Sequence, residues 1–196
     1  MHVFIRKKIN RKYSNLLYYF FKANLPKSLL SNIEKNLFFK FCKHLEENSK
    51  TKYYYIKKKK ILSCLIFTKN GCEVINFLRK NSFNILISLL FNLNFYKKYL
   101  ILNSFFGFFY NPNKFLFENE IVIIATNQDY RSKGFGSLLI QKSLKDHKFL
   151  NVKSEFFSKK FYLKNKFRVV LQKKIGLKNY FFLKNNYHFS KILHKL

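Results

Sequence analysis

The chain has 196 residues, 48% of them apolar, which makes one domain with a full core and excludes a disordered chain. Its formal charge of +30 comes from 39 Lys and Arg against 9 Asp and Glu. Three cysteines at no metal-ligand spacing exclude a disulfide framework and point to reduced thiols, and no apolar run reaches the roughly 18 uncharged residues of a membrane-spanning helix.

Lys, Asn, Phe, Tyr and Ile are over-used along the whole chain, as an AT-rich coding sequence would produce, and such drift is read as the main source of the charge. The competing source is a polyanionic partner, because a field of this sign attracts nucleic acid or anionic membrane without sequence preference. The first 33 residues hold no acid, and six Lys or Arg precede Pro26. That is compatible with a transit peptide. Residues 1–27 therefore read as a basic N-terminal extension. The protein reads as cytoplasmic, with organelle targeting or peripheral membrane attachment as the alternative.

In chain order, residues 28–47 carry apolar positions at helical spacing, with Ser28 as a cap. Tyr53–Ile56 and Ile61–Phe67 read as two strands, and Lys57–Lys60 as the solvated turn between them. Residues 69–113, rich in Asn and aromatics without a clean period, read as an insertion, helical near Val74–Lys80 and closed by the turn Asn111-Pro112-Asn113. Glu118–Thr126 is a buried strand, Ser137 to about Lys148 a helix, and Leu150 begins the next strand. Arg168–Gln172 and Tyr187–Leu193 read as the last two strands. No cluster of carboxylates, His or Cys suggests a metal.

The informative segment joins the strand at 118–126 to the helix at 137. Gly134 and Gly136 leave the backbone bare, and the helix beyond them offers free N–H donors and a positive dipole end. This is a seat for a pyrophosphate, with Arg131 and Lys133 beside it. The P-loop pattern does not fit, since Ser137-Leu138 follows the last Gly. Nor does the Rossmann turn, since Leu139 stands where its third Gly would be.

Tyr130-Arg131-x-x-Gly134-x-Gly136, followed by Leu138-Leu139, resembles the acetyl-CoA motif of the GCN5-related N-acetyltransferases (GNAT). Phe161-Tyr162-Leu163-Lys164-Asn165-Lys166-Phe167 resembles a second segment of that family, where a helix ends and a strand begins. Phe181–Tyr187 is another candidate for it, with a less suitable spacing. Gly136–Ile140, Ser143–His147 and Leu150-Asn151-Val152 look closest to the protein amino-terminal acetyltransferases of the Golgi-type and NatE-like branch. The resemblance covers residues 118–195, with a weaker match at 53–67, so the domain would occupy 28–196.

The resemblance implies an α/β fold: a mixed central sheet flanked by helices, with a CoA-binding strand–loop–helix. It implies acetyl-CoA as cosubstrate, whose phosphates the positive field would favour. The residues expected at it are Ala125, Thr126 and Asn127 on the strand and Arg131, Ser132, Lys133, Gly134, Phe135, Gly136 and Ser137 on the loop. Glu120 and Asn151 stand where the amino-terminal branch has its strand Tyr and its His. That makes Glu120 the candidate base. Tyr162 is the candidate acid for the leaving thiolate. Tyr180, in an aromatic loop expected between the last strands, and Pro26 are the candidate acceptor contacts. His147 and His188 are expected at the surface. The implied acceptor is a protein amino terminus. The alternatives are a small amine such as glucosamine 6-phosphate, or a degenerate domain that binds CoA or RNA without catalysis.

Overall fold

The computed structural model describes residues 2–26, 28–92, 117–175 and 178–186. Its centre is a sheet of seven strands. These are β1 (Phe4–Arg6), β2 (Thr51–Lys57), β3 (Ile61–Asn70), β4 (Glu118–Thr126), β5 (Phe149–Glu155), β6 (Arg168–Ile175) and β7 (Lys178–Asn186). Their order across the sheet is β1-β2-β3-β4-β5-β7-β6. β4 and β5 run parallel, and every other neighbouring pair is antiparallel. β2 and β3 are buried on both faces, which explains why their sequences are continuous apolar runs.

One face packs against α1 (Arg11–Asn24), α2 (Leu29–Asn32), α3 (Lys35–Asn48) and α4 (Cys72–Lys80), which α5 (Ser82–Asn92) follows. That layer buries Leu17, Phe21, Phe38, Phe41 and Leu45 against Tyr53, Ile66, Ile123 and Ala125. The other face packs against α6 (Phe135–Asp146) and α7 (Phe156–Lys164), which bury Leu139, Ile140, Leu144 and Tyr162 against Tyr54, Leu65, Ile121 and Val152. Each such apolar side chain contributes about 1.5–3 kcal/mol of transfer free energy.

Several expectations are adjusted. β1 and α1 lie within the segment set apart as a basic extension: β1 is an exposed edge strand with Phe4 paired to Tyr55, and α1 buries Leu17 and Phe21 fully in the core. The helix expected over 28–47 divides into α2 and α3. Asn32 Nδ2 donates to the Pro26 and Ser28 carbonyls, and Ser31 Oγ to the Ser28 carbonyl. Side chains that satisfy the backbone locally compete with helix continuation. Ser28 precedes α2 without a side-chain capping bond.

The segment 69–113 holds the end of β3, α4 and α5, and its remainder lies outside the described residues. The last strand among the described residues is Lys178–Asn186, whose alternation places Tyr180 and Phe182 on one face and Phe181 and Leu183 on the other. Tyr180 is therefore a strand residue and not part of a loop. Phe181–Asn186 is likewise strand, which leaves Phe161–Phe167 as the junction between α7 and β6. Residues 187–193 and His188 lie outside the described residues.

Candidate functional site

β4 and β5 pair at only two rungs, Glu120 with Asn151 and Ile121 with Val152. Immediately beyond, the register of β4 against β3 shifts, because Phe67 pairs with Ile121 and Ile66 with Ile123. Val122 is the extra residue of a β-bulge, which bends a strand and raises its twist. From there to Thr126 no strand among the described residues covers the β5-facing edge of β4. The Asn127 N–H donates to the Leu62 carbonyl at 2.8 Å. Rungs therefore bond toward β3 at Asn127, Ala125 and Ile123, and the alternate residues Ile124 and Thr126 turn their backbone groups into the gap. Of the strand residues expected at the cosubstrate, Thr126 offers its backbone there, while the Ala125 and Asn127 amides belong to the β3 ladder.

The gap leads to the glycine loop. Asn127 Oδ1 accepts the Asp129 N–H at 3.1 Å and starts a single turn, Gln128–Tyr130. Ser132 follows with φ of 63° and Gly134 with 79°. A left-handed backbone costs a non-glycine residue roughly 1–2 kcal/mol, so only glycine adopts Gly134's geometry freely. α6 then begins at Phe135 without a side-chain cap. Its first N–H groups have no intrahelical acceptor and lie at the positive dipole end. Ser132, Lys133 and Gly134 are exposed beside them, with Phe135 and Ser137 half-buried. Gly136 is buried, and a Cβ there would meet the Phe161 ring at 3.0 Å and Thr126 Oγ1 at 3.5 Å. The loop is a bare cradle with donors and positive charge, which suits a pyrophosphate. The Arg131 guanidinium does not point into it. Its Nη2 donates to the Asn24 carbonyl at 2.9 Å.

At the other end of the gap lies Glu120. It is 8% exposed, and its Oε2 has no hydrogen-bond partner among the described residues. Burial pushes its carboxyl up to about 8, against the opposing pull of Lys153. The carboxyl group occupies the space beside Gly71, where a Cβ would overlap Oε2 and displace it. Asn151 faces it across the rung, with Nδ2 donating to the Glu118 carbonyl at 2.6 Å. Lys153 Nζ sits 4.4 Å from the Tyr180 ring centroid. Burial lowers this ammonium to about 8, although Glu120 and Glu155 favour its charge. Tyr162 is buried on the opposite face, and its hydroxyl is pushed above its usual range by burial and then by Glu120.

An open cavity of about 1060 Å³ is lined by Asn70 and Cys72, the chain neighbours of Gly71, and by Glu118 and Asn119 just before Glu120. Glu46, Glu47, Glu73 and Glu118 line it with Lys50 and Lys69, so four of the chain's nine acids gather there. Pro26 is exposed at the turn after α1. His147 is half-buried and not free at the surface: its ring stacks on Phe67 with centroids 3.9 Å apart, and Nε2 lies 3.3 Å from the Tyr54 hydroxyl. The sequence carried no signal for the Asn24 contact, for Gly71 or for the gathered carboxylates. Each joins residues distant in the chain.

No protein-family model matches the chain, and no curated protein is similar to it in sequence. Solved structures are similar across nearly its whole length. A GNAT-family protein from Desulfovibrio desulfuricans superposes with a TM-score of 0.58 at 9% identity, covering 95% of this chain and 99% of the other. An N-acetyltransferase from Staphylococcus aureus Mu50 gives 0.52 at 17% identity, covering 93% and 100%. The ribosomal-protein-S18-alanine N-acetyltransferase from Escherichia coli gives 0.54 at 10% identity, covering 95% and 94%. The chain has the GNAT fold, with its mixed sheet opened between β4 and β5. No helix among the described residues is long and apolar enough to cross a membrane.

Proposed function

We propose that the chain is an acetyl-CoA-dependent N-acetyltransferase acting on protein amino termini. One observation carries the reading. The uncovered edge of β4 joins an uncapped helix N-terminus at one end to a buried carboxyl and a buried phenol at the other. Thr126 lies six positions on from Glu120, about 20 Å of strand, a span that an extended pantetheine arm covers.

Bound acetyl-CoA would supply the activated thioester. The N–H groups of Gly134, Phe135 and Gly136 would hold its pyrophosphate, with Ser132, Lys133 and Ser137 beside it. The Ile124 and Thr126 backbones would pair with the amides of the arm. Glu120 accepts a proton from the acceptor's ammonium, and Tyr162 offers its O–H to the leaving sulfur. Asn151 fixes the end of the gap through the Glu118 carbonyl.

Two things favour an amino terminus as acceptor. The residues of α6 and β5 resemble the amino-terminal branch. The cavity beside Gly71 gathers four carboxylates, which attract a cationic amine and repel a sugar phosphate. CoA release assayed with short peptides of varied first residue, and with glucosamine 6-phosphate alongside, tests this. Turnover of peptides is the expected result. Turnover of the sugar phosphate alone overturns the acceptor assignment.

A further inference from the structure

We infer that Asn24 and Arg131 form a positioning device that pre-shapes the glycine loop for phosphate, so that Arg131 acts on the ligand without touching it. The inference rests on the acetyl-CoA reading.

Asn24 is the last residue of α1, 6% exposed. Its Nδ2 donates to the Phe20 carbonyl at 2.7 Å, and its Oδ1 accepts the Gln128 N–H at 3.0 Å. Its own carbonyl accepts from Arg131 Nη2 at 2.9 Å, and Gln128 Nε2 donates to the Ala23 carbonyl at 3.3 Å. Both ends of the turn Gln128–Tyr130 are thereby fixed to one helix terminus. The last carbonyls of a helix lack intrahelical donors and carry its negative dipole end, so a guanidinium is a suitable partner for them. Bonds to a charged donor are also stronger than neutral ones.

The strained part of the loop follows directly. Ser132, next to Arg131, has φ of 63°. A non-glycine residue stays in that region only where its surroundings over-determine it. The hydrogen bonds to α1 supply that constraint on the N-terminal side, and the start of α6 supplies it on the C-terminal side. Without Arg131 the loop keeps every N–H that a pyrophosphate needs but must order them on binding, which lowers affinity.

The test is CoA calorimetry on Arg131→Ala, Asn24→Ala and the double variant over a range of ionic strength, with amide exchange of residues 127–136 in the free protein. Arg131 is exposed, so its variant keeps the fold even if Asn24→Ala does not. Each single change is expected to weaken CoA binding about tenfold. Asn24→Ala removes the bond to the Gln128 N–H and keeps the carbonyl that Arg131 uses, so the double change is expected to add little only because each bond holds one end of the same turn and losing either frees it. Loop exchange is expected to quicken, while the salt dependence of CoA binding stays that of the wild type. An Arg131→Ala protein with a shallower salt dependence and unaltered loop exchange overturns the inference, because it makes Arg131 a direct phosphate ligand. Additive losses overturn it as well. Wild-type protein that binds no CoA removes the acetyl-CoA reading itself, a result separate from either.

Discussion

Glu120 and Asn151 face each other across the first of the two parallel rungs between β4 and β5, one rung before the strands part. A carboxyl and an amide thus occupy the head of the gap, and on the same side of it the Glu120 carboxylate rests against Gly71.

A carboxyl held near 8 by burial is an effective base only where it ionises, so turnover is expected to rise with pH through about 8. Glu120→Gln keeps the shape, removes the base and is expected to lower the rate about 10²–10⁴-fold while CoA affinity holds. Stability runs the other way. The folded carboxyl keeps its proton above its ordinary value of 4.5, so the contribution is complete below 4.5 and lost as pH rises through about 8. Lys153, lowered from 10.5 to about 8, gives stability back as pH rises between those values. Melting temperatures that fall from pH 6.5 to 8, above the range in which the His147 contribution changes, in the wild type and stay flat there in Glu120→Gln check the sign.

Tyr162→Phe keeps the ring packed against Phe167 and removes the hydroxyl. The rate is expected to fall about 10²-fold, at the low end for a lost proton donor, with melting temperature and CoA affinity close to wild type. An unchanged rate at saturating peptide means another group meets the thiolate.

His147 serves the fold. Burial, and Lys52 after it, hold its imidazole at about 4, below the ordinary 6.5. Its contribution is therefore complete above 6.5 and lost as pH falls through about 4. His147→Ala loses the stacking on Phe67 and is expected to cost about 1–3 kcal/mol in denaturant unfolding at pH 7. Turnover of the folded variant is expected to remain.

The charge of +30 is expected to draw nucleic acid weakly and without sequence preference. Filter binding is expected to collapse between low and moderate salt. Tight, sequence-selective binding at raised salt instead makes nucleic acid a selected partner.

The centre of the fold was legible in the sequence where local signals agree. Glu118–Thr126 is an apolar run bounded by polar residues, and the structure gives β4 the same limits. The glycine loop declares itself by the strand before it and the helix after it. The hairpin around Lys57–Lys60 follows from two apolar runs and a charged tip. What stayed hidden depends on distance along the chain. The Arg131–Asn24 bond joins residues 107 apart. His147 looks exposed at a helix end until Phe67 is placed beneath it. The aromatic run at Tyr180–Leu183 fits a loop as well as a strand until β5 pairs with it along seven rungs.

The most direct test of the account is calorimetry of acetyl-CoA with the wild type, Gly134→Asn and Gly134→Asp. Both side chains tolerate the left-handed backbone at φ of 79° and project into open space, so they differ in charge alone. The Asn variant is expected to bind within a few-fold of the wild type. The Asp variant is expected to bind at least tenfold more weakly, about 1.4 kcal/mol, because its carboxylate meets the pyrophosphate. Equal affinities in all three proteins, or no binding by the wild type, contradict the assignment of this loop as the acetyl-CoA site.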